Sequence, residues 1–266
     1  MPWQRVITAA VAVLLFVSAA FSLGNLLWAA LLLVPVAVGG WEWAGLGGFP
    51  LRARWTFCAA VLASCLVLLA APPFFEREIY FASAAFWLAL APCWLAWKWR
   101  PPGKWLLAAA GWVLLVPTWL ALARLQMQPA FLTALVAVIW VSDSAAYVTG
   151  RAFGRHRLAP AISPGKTWEG VVGALAAVSV YYGLLWFIFM PTQTAAQALA
   201  GWLLASGMTA LGIEGALFES WMKRVAGVKD SGNVMPGHGG ILDRIDGLTA
   251  SMPLAALCAD TVRILR

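Results

Sequence analysis

The sequence predicts an all-α, polytopic integral membrane protein, with about nine transmembrane helices and a polar cavity on the cytoplasmic side. Three observations carry this expectation. Of 266 residues, 62% are hydrophobic and 11% charged, far outside soluble globular usage. Apolar runs recur at the length of about 20 residues that a hydrocarbon core about 30 Å thick demands. Polar chemistry is instead gathered in one stretch, where four acids (Glu219, Asp230, Asp243, Asp246) alternate with four bases (Lys223, Arg224, Lys229, Arg244). At about 3 kcal/mol per charge, eight such residues facing lipid would cost on the order of 24 kcal/mol. They must line an aqueous interface or an internal polar cavity.

The spans are read at 6–21, 26–46, 55–71, 80–97, 105–122, 130–149, 168–190, 195–217 and 248–265. The first, after Arg5, has the small residues Ser18, Ala19 and Ala20 of a signal peptide behind its apolar run, but is expected to stay as a helix. With a cytoplasmic N-terminus, nine spans place 14 of the 18 Lys and Arg inside and leave Arg77, Arg124, Arg263 and Arg266 outside, as the positive-inside rule requires. The net charge of +7 then reflects orientation and attraction to anionic headgroups. Nucleic acid is excluded as a partner, since the bases are divided among short loops with no sustained patch. The four cysteines show no C-x-x-C spacing and read as small packing residues.

Residues 1–129 form an N-terminal transmembrane half nearly free of candidate chemistry, expected to anchor the protein and to supply a homodimer contact. Trp41, Trp43, Trp55, Trp94, Trp97, Trp99 and Trp105 stand near predicted helix ends, as an aromatic belt does. Glu42 beside them reads as an interfacial acid, Glu76-Arg77-Glu78 as a solvated outer loop, and Lys98 to Lys104 as a basic inner loop in which Pro101-Pro102 ends the helix.

Residues 130–266 carry the chemistry. Asp143 interrupts an apolar span, and an intramembrane acid marks a functional site. Gly165-Lys166-Thr167 does not open a P-loop, because Pro160 stands where the first glycine of that motif belongs. Ser163 is expected to cap the seventh span with Pro164 as its first helical residue. The helix N-terminus and Lys166 would then converge on an anion. Glu219 and Lys223, four apart, share a helix face, and Gly227 is the expected stop. Gly237, Gly239 and Gly240 bracket His238 and free backbone N–H groups for phosphate oxygens. Asp243 and Asp246, three apart, offer hard oxygens suited to Mg2+.

In order, Ser220, Lys223, Arg224, Lys229, Asp230, Pro236-Gly237-His238-Gly239-Gly240, Asp243-Arg244 and Asp246 resemble the signature of the phosphatidate cytidylyltransferase (CDP-diacylglycerol synthase) family. A second block, Asp143, Ala146-Tyr147, Gly150 and then Ser163-Pro164, Lys166-Thr167 and Glu169-Gly170, resembles that family's upstream motif. The resemblance implies transfer of CMP from CTP to phosphatidate in a bacterial inner membrane, with the site facing the cytoplasm. It implies Lys166, Glu219, Lys223, Arg224, Lys229, Asp230 and His238 as catalytic residues. Asp143, Ser163, Thr167, Ser220, Gly239, Gly240 and Arg244 would bind substrate, and Asp243 and Asp246 would hold Mg2+, with a monovalent cation as a further expected cofactor. One departure stands out: Ala216 occupies the place of an aspartate that the family uses beside the metal. A catalytically silent lipid- or nucleotide-binding member is one alternative. A transporter is another, although no repeated halves are present to support it.

Overall fold

The computed structural model describes residues 2–189, 194–234 and 239–259. Its helices are α1 (Pro2–Ser22), α2 (Asn25–Leu46), α3 (Leu51–Leu69), α4 (Pro73–Ala85), α5 (Ala91–Ala96), α6 (Lys104–Leu125), α7 (Pro129–Phe153), α8 (Trp168–Phe189), α9 (Ala195–Val225) and α10 (Leu242–Ala259). A π-helical turn, Phe86–Leu90, joins α4 to α5. These two helices and the turn make one rod, so the described residues form nine rods. Seven are long and apolar enough to cross a membrane. The protein is an all-α polytopic membrane protein.

Three departures from the sequence reading matter. The rod from Pro73 begins before the expected span, so Glu76 lies in its first turn rather than in a loop. There it pairs with Arg124 Nη2 at 2.5 Å. Helix α9 runs to Val225. At 1.5 Å per residue its 31 residues span about 46 Å, more than a hydrocarbon core needs. The helix expected at 248 starts at Leu242, which puts Asp243 and Asp246 on helical backbone.

The N-terminal rods are a scaffold pinned by indole hydrogen bonds. Trp28 Nε1 donates to Leu122 O at 3.0 Å, Trp119 Nε1 to Ala29 O at 3.0 Å and Trp43 Nε1 to Leu107 O at 2.7 Å, fastening α2 to α6 at successive heights. Buried indoles need such acceptors, and here the acceptors are carbonyls of the neighbouring helix. Phe218 on α9 is fully buried among the rings of Trp43, Phe86, Trp87 and Trp94, at centroid distances of 5.3 to 6.2 Å. That cluster locks α9 into the N-terminal scaffold one residue before Glu219.

Close backbone approach locks it on the other side. A Cβ at Gly215 would overlap Asp246 O, and the Cβ of Ala250 would lie only 3.0 Å away. Glycine is what lets α9 meet α10 at the height of Asp246.

Candidate active site

The segment expected to open the seventh span as a helix is a strand instead. Strand β1 (Arg157–Ala159) pairs antiparallel with β2 (Ser163–Thr167), and α8 begins only at Trp168. The cap is Thr167, whose Oγ1 accepts the Gly170 N–H at 3.1 Å, so the expected roles of Ser163 and Pro164 move four residues on. Proline is tolerated because a two-stranded sheet leaves each strand an unpaired edge. Lys166 stands immediately before that cap, on the strand rather than in the first turn of a helix. It reaches across to α9, where Nζ lies 3.4 Å from Ile213 O. The hairpin is tied to the same helix by Arg224 Nε, which donates to Ile162 O at 3.3 Å.

Helices α7, α9 and α10 and this hairpin bring four carboxylates and two ammonium groups together. Asp143, Glu219 and Asp246 all lie within electrostatic reach of Lys166. Burial pushes the Lys166 ammonium below the ordinary lysine range, while those three acids pull it back up. Lys223 pairs with Asp243 Oδ1 and sits 3.4 Å from Glu219 Oε2. Glu219 is buried, Lys166, Lys223, Asp243 and Asp246 are half-buried, and Asp143 is exposed. These groups run from buried to exposed, so the charge cluster is reached by solvent from one side.

The two expected metal ligands stand differently. Both oxygens of Asp243 are occupied: Oδ1 by Lys223, and Oδ2 by Ser231 N at 3.0 Å, Ser231 Oγ at 2.9 Å and Gly240 N at 2.8 Å. In this arrangement Asp243 holds Lys223 and the loop together. Asp246 Oδ1 accepts the short bond from its neighbour, Gly247 N, at 2.8 Å, and its carboxyl group lies against that of Glu219. Among the described residues no three His, Cys, Asp or Glu side chains converge as a protein-only metal centre. The donor set nonetheless fits Mg2+, which binds through one or two carboxylates and completes its shell with water and substrate phosphate. Glu219, buried with its carboxyl group against that of Asp246 and 3.4 Å from Lys223 Nζ, adds a further carboxylate at that position.

The remaining expected residues are placed as follows. Ser220 is half-buried on α9, Lys229, Asp230 and Arg244 are exposed, and Gly239 and Gly240 end the loop that leads into α10. His238 lies outside the described residues. The hydroxyl of Thr167 is engaged in capping α8. Glu214, with only burial acting on it, stands apart from the cluster, as a position two residues from 216 on a helix must.

Glu42 escaped the sequence reading. It is buried rather than interfacial, its Oε1 accepting Ile241 N at 3.1 Å and its Oε2 accepting Leu242 N at 2.9 Å and Ser231 Oγ at 3.1 Å. A carboxylate of the N-terminal half thus caps the helix that carries Asp243 and Asp246. Its only sequence signal was an acid at a helix end beside tryptophans.

A family model described as the cytidylyltransferase family matches residues 3–262. The chain belongs to the cytidylyltransferase family. The phosphatidate cytidylyltransferase of Pseudomonas aeruginosa is 36% identical over 261 residues, covering 95% of each chain. The protein of that name from Haemophilus influenzae is 48% identical over 121 residues, 44% of this chain and 41% of the relative. The one from Staphylococcus saprophyticus is 44% identical over 117 residues, 44% of each.

Proposed function

We propose that this chain transfers CMP from CTP to phosphatidate, releasing pyrophosphate and forming CDP-diacylglycerol. The observation that carries the reading is the cluster in which Lys166 and Lys223 stand among Asp143, Glu219, Asp243 and Asp246. The reaction joins two polyanions, and unit charges 4 Å apart repel by about 1 kcal/mol each even in water. Fixed cations are therefore central to bringing them together. A phosphatidate oxygen attacks the α-phosphorus of CTP and the bond to the β-phosphate bridging oxygen breaks, with no enzymic nucleophile required. Catalysis consists of positioning and charge stabilisation.

In this reading Lys166 and Lys223 bind phosphate oxygens inside the cluster, and Arg224, Lys229 and Arg244 do so from its exposed side. Ser220 and the N–H groups of the Gly239-Gly240 turn orient the nucleotide together with His238. Asp230 fixes neighbouring cations, and Asp143 and Glu219 hold Lys166 in place. Mg2+ would be held by Asp246 and, once Lys223 turns to phosphate, by Asp243, and would supply charge neutralisation for the reacting phosphates. A monovalent cation could share the same carboxylate cluster. The site faces the cytoplasm of a bacterial inner membrane and the protein works as a homodimer.

The decisive assay is formation of CDP-diacylglycerol from labelled CTP and phosphatidate by the purified protein in detergent, with Mg2+ and with chelator. Product that appears only with Mg2+ supports the reading. Nucleotide binding without pyrophosphate release would overturn it.

A further inference from the structure

The junction of α7 with the β-hairpin carries exposed basic residues to which the proposed reaction assigns no role. While Lys166 on β2 turns toward the carboxylate cluster, Arg151, Arg155, His156 and Arg157 are all exposed. Glu169 is the sole acid between residues 147 and 170, and it is taken by His156, whose Nδ1 lies 2.6 Å from Oε1 and whose backbone N lies 3.2 Å from both carboxylate oxygens. Arg151 Nη1 donates to Tyr147 Oη at 2.9 Å and Arg157 Nη1 to Pro164 O at 2.7 Å, both neutral partners. Among the described residues no carboxylate pairs with any of the three arginines.

The groups next to this charge are apolar and equally exposed. Val148 and Val172 are 62% and 65% exposed, and Tyr147, Phe153 and Trp168 lie between 56% and 69%. Val172 and Trp168 are four apart on α8, as Tyr147 and Arg151 are on α7, so each helix presents an aliphatic or aromatic step and then the basic end. Helix α8 is the least buried of the seven candidate spans. Aliphatic, aromatic and basic layers in that order are what a helix pair shows where it leaves the bilayer at the headgroup level.

We propose that Arg151 and Arg155, exposed where α7 runs into the hairpin that carries Lys166, form a collecting site for the phosphomonoester headgroup of a bilayer-borne lipid. The proposal rests on the cytidylyltransferase reading and adds where the lipid substrate first binds. Guanidinium forks suit a phosphomonoester, which carries close to two charges and three free oxygens, better than a phosphodiester with one charge. Arg157 is anchored to Pro164 and holds the hairpin's shape. The lipid phosphate then passes along the hairpin to Lys166.

The test uses the full chain in mixed micelles, with the surface fraction of phosphatidate varied at saturating CTP. The double variant Arg151→Gln/Arg155→Gln leaves the hairpin's internal bonds intact. It is expected to raise KM for phosphatidate on the order of tenfold, with kcat and KM for CTP unchanged. Arg151→Lys/Arg155→Lys should recover part of the loss, which a purely structural role would not predict. Equal surface fractions of phosphatidylglycerol should compete weakly; competition as strong as that of phosphatidate would mean a general anionic surface and overturn the proposal. An unchanged KM in the double variant would also overturn it. A photoactivatable phosphatidate should label residues 147–170 in the parent chain and lose that label in the double variant. Labelling without turnover would count against the proposed reaction alone, and turnover without labelling against the collecting site alone.

Discussion

Ala216 lies three residues before Glu219 and seven before Lys223 on α9, so all three share one helix face. A carboxylate at 216 would join the cluster beside Glu219 and Asp246. Because an error of about 1 Å in placing reacting groups can cost on the order of a hundredfold, Ala216→Asp is expected to raise Mg2+-dependent turnover strongly, with expression similar or slightly lower. Full turnover with Ala216 and no gain from the aspartate would show that the cluster works without a ligand there. Lys166 supports a second expectation. Lys166→Ala should cost roughly ten- to over a hundredfold in CTP affinity or turnover, the weight of one charge-assisted phosphate contact of about 1.5 to 3 kcal/mol. Unchanged CTP affinity and turnover would remove Lys166 from the site. Glu219 with Lys223 and Asp243 with Asp246 were legible because spacings of four and three put each pair on one helix face, and the rest of the order was legible through the resemblance to the family's signature. Glu42 was not legible as a cap, since the N–H groups it accepts lie 199 and 200 residues along the chain.

At the scale of elements, the helices were read close to their places because a bilayer demands long apolar runs. The hairpin was missed because Ser163-Pro164 suits a helix start as well as an edge strand. Its true helix cap, Thr167, offers the same hydroxyl four residues later. What holds the elements in register is specific and testable. Phe218→Ala would empty a site walled by four aromatic rings, and such truncations cost about 3 to 5 kcal/mol. It should lower the unfolding temperature in detergent and weaken activity together. Glu42→Ala would strip three donors of their acceptor, Ile241 N, Leu242 N and Ser231 Oγ, where each buried unsatisfied group costs about 1 to 3 kcal/mol. Turnover should fall with stability, and Glu42→Gln should restore part of both because one amide oxygen still accepts. A Glu42→Ala protein with parent-like stability and turnover would show that the cap is dispensable.

The whole molecule is asymmetric from end to end, and its orientation follows from that asymmetry. At one end gather the hairpin, the loop after α9 and the loop before α6, tied together where Trp94 Nε1 and Trp221 Nε1 both donate to Trp99 O at 2.9 Å and where Arg224 meets Ile162 O. Arg100, Arg151, Arg155, Arg157, Arg224, Lys229 and Arg244 are exposed there. At the other end Arg124 is spent on Glu76 in an ion pair, so one of the few bases on that side contributes no net charge. Translocation disfavours short loops rich in Lys and Arg, and on that ground we propose that the hairpin end faces the cytoplasm, the side that would hold CTP. In a variant with its four cysteines replaced, Glu78→Cys at the Arg124 end should react with a membrane-impermeant thiol reagent in intact cells. Ala161→Cys at the hairpin tip and Asn233→Cys in the loop after α9 should react only after permeabilisation. All three positions are exposed, so a difference in labelling reports the side of the membrane rather than burial. Labelling of Ala161→Cys from outside would place the cluster away from CTP and contradict the proposed reaction along with the topology.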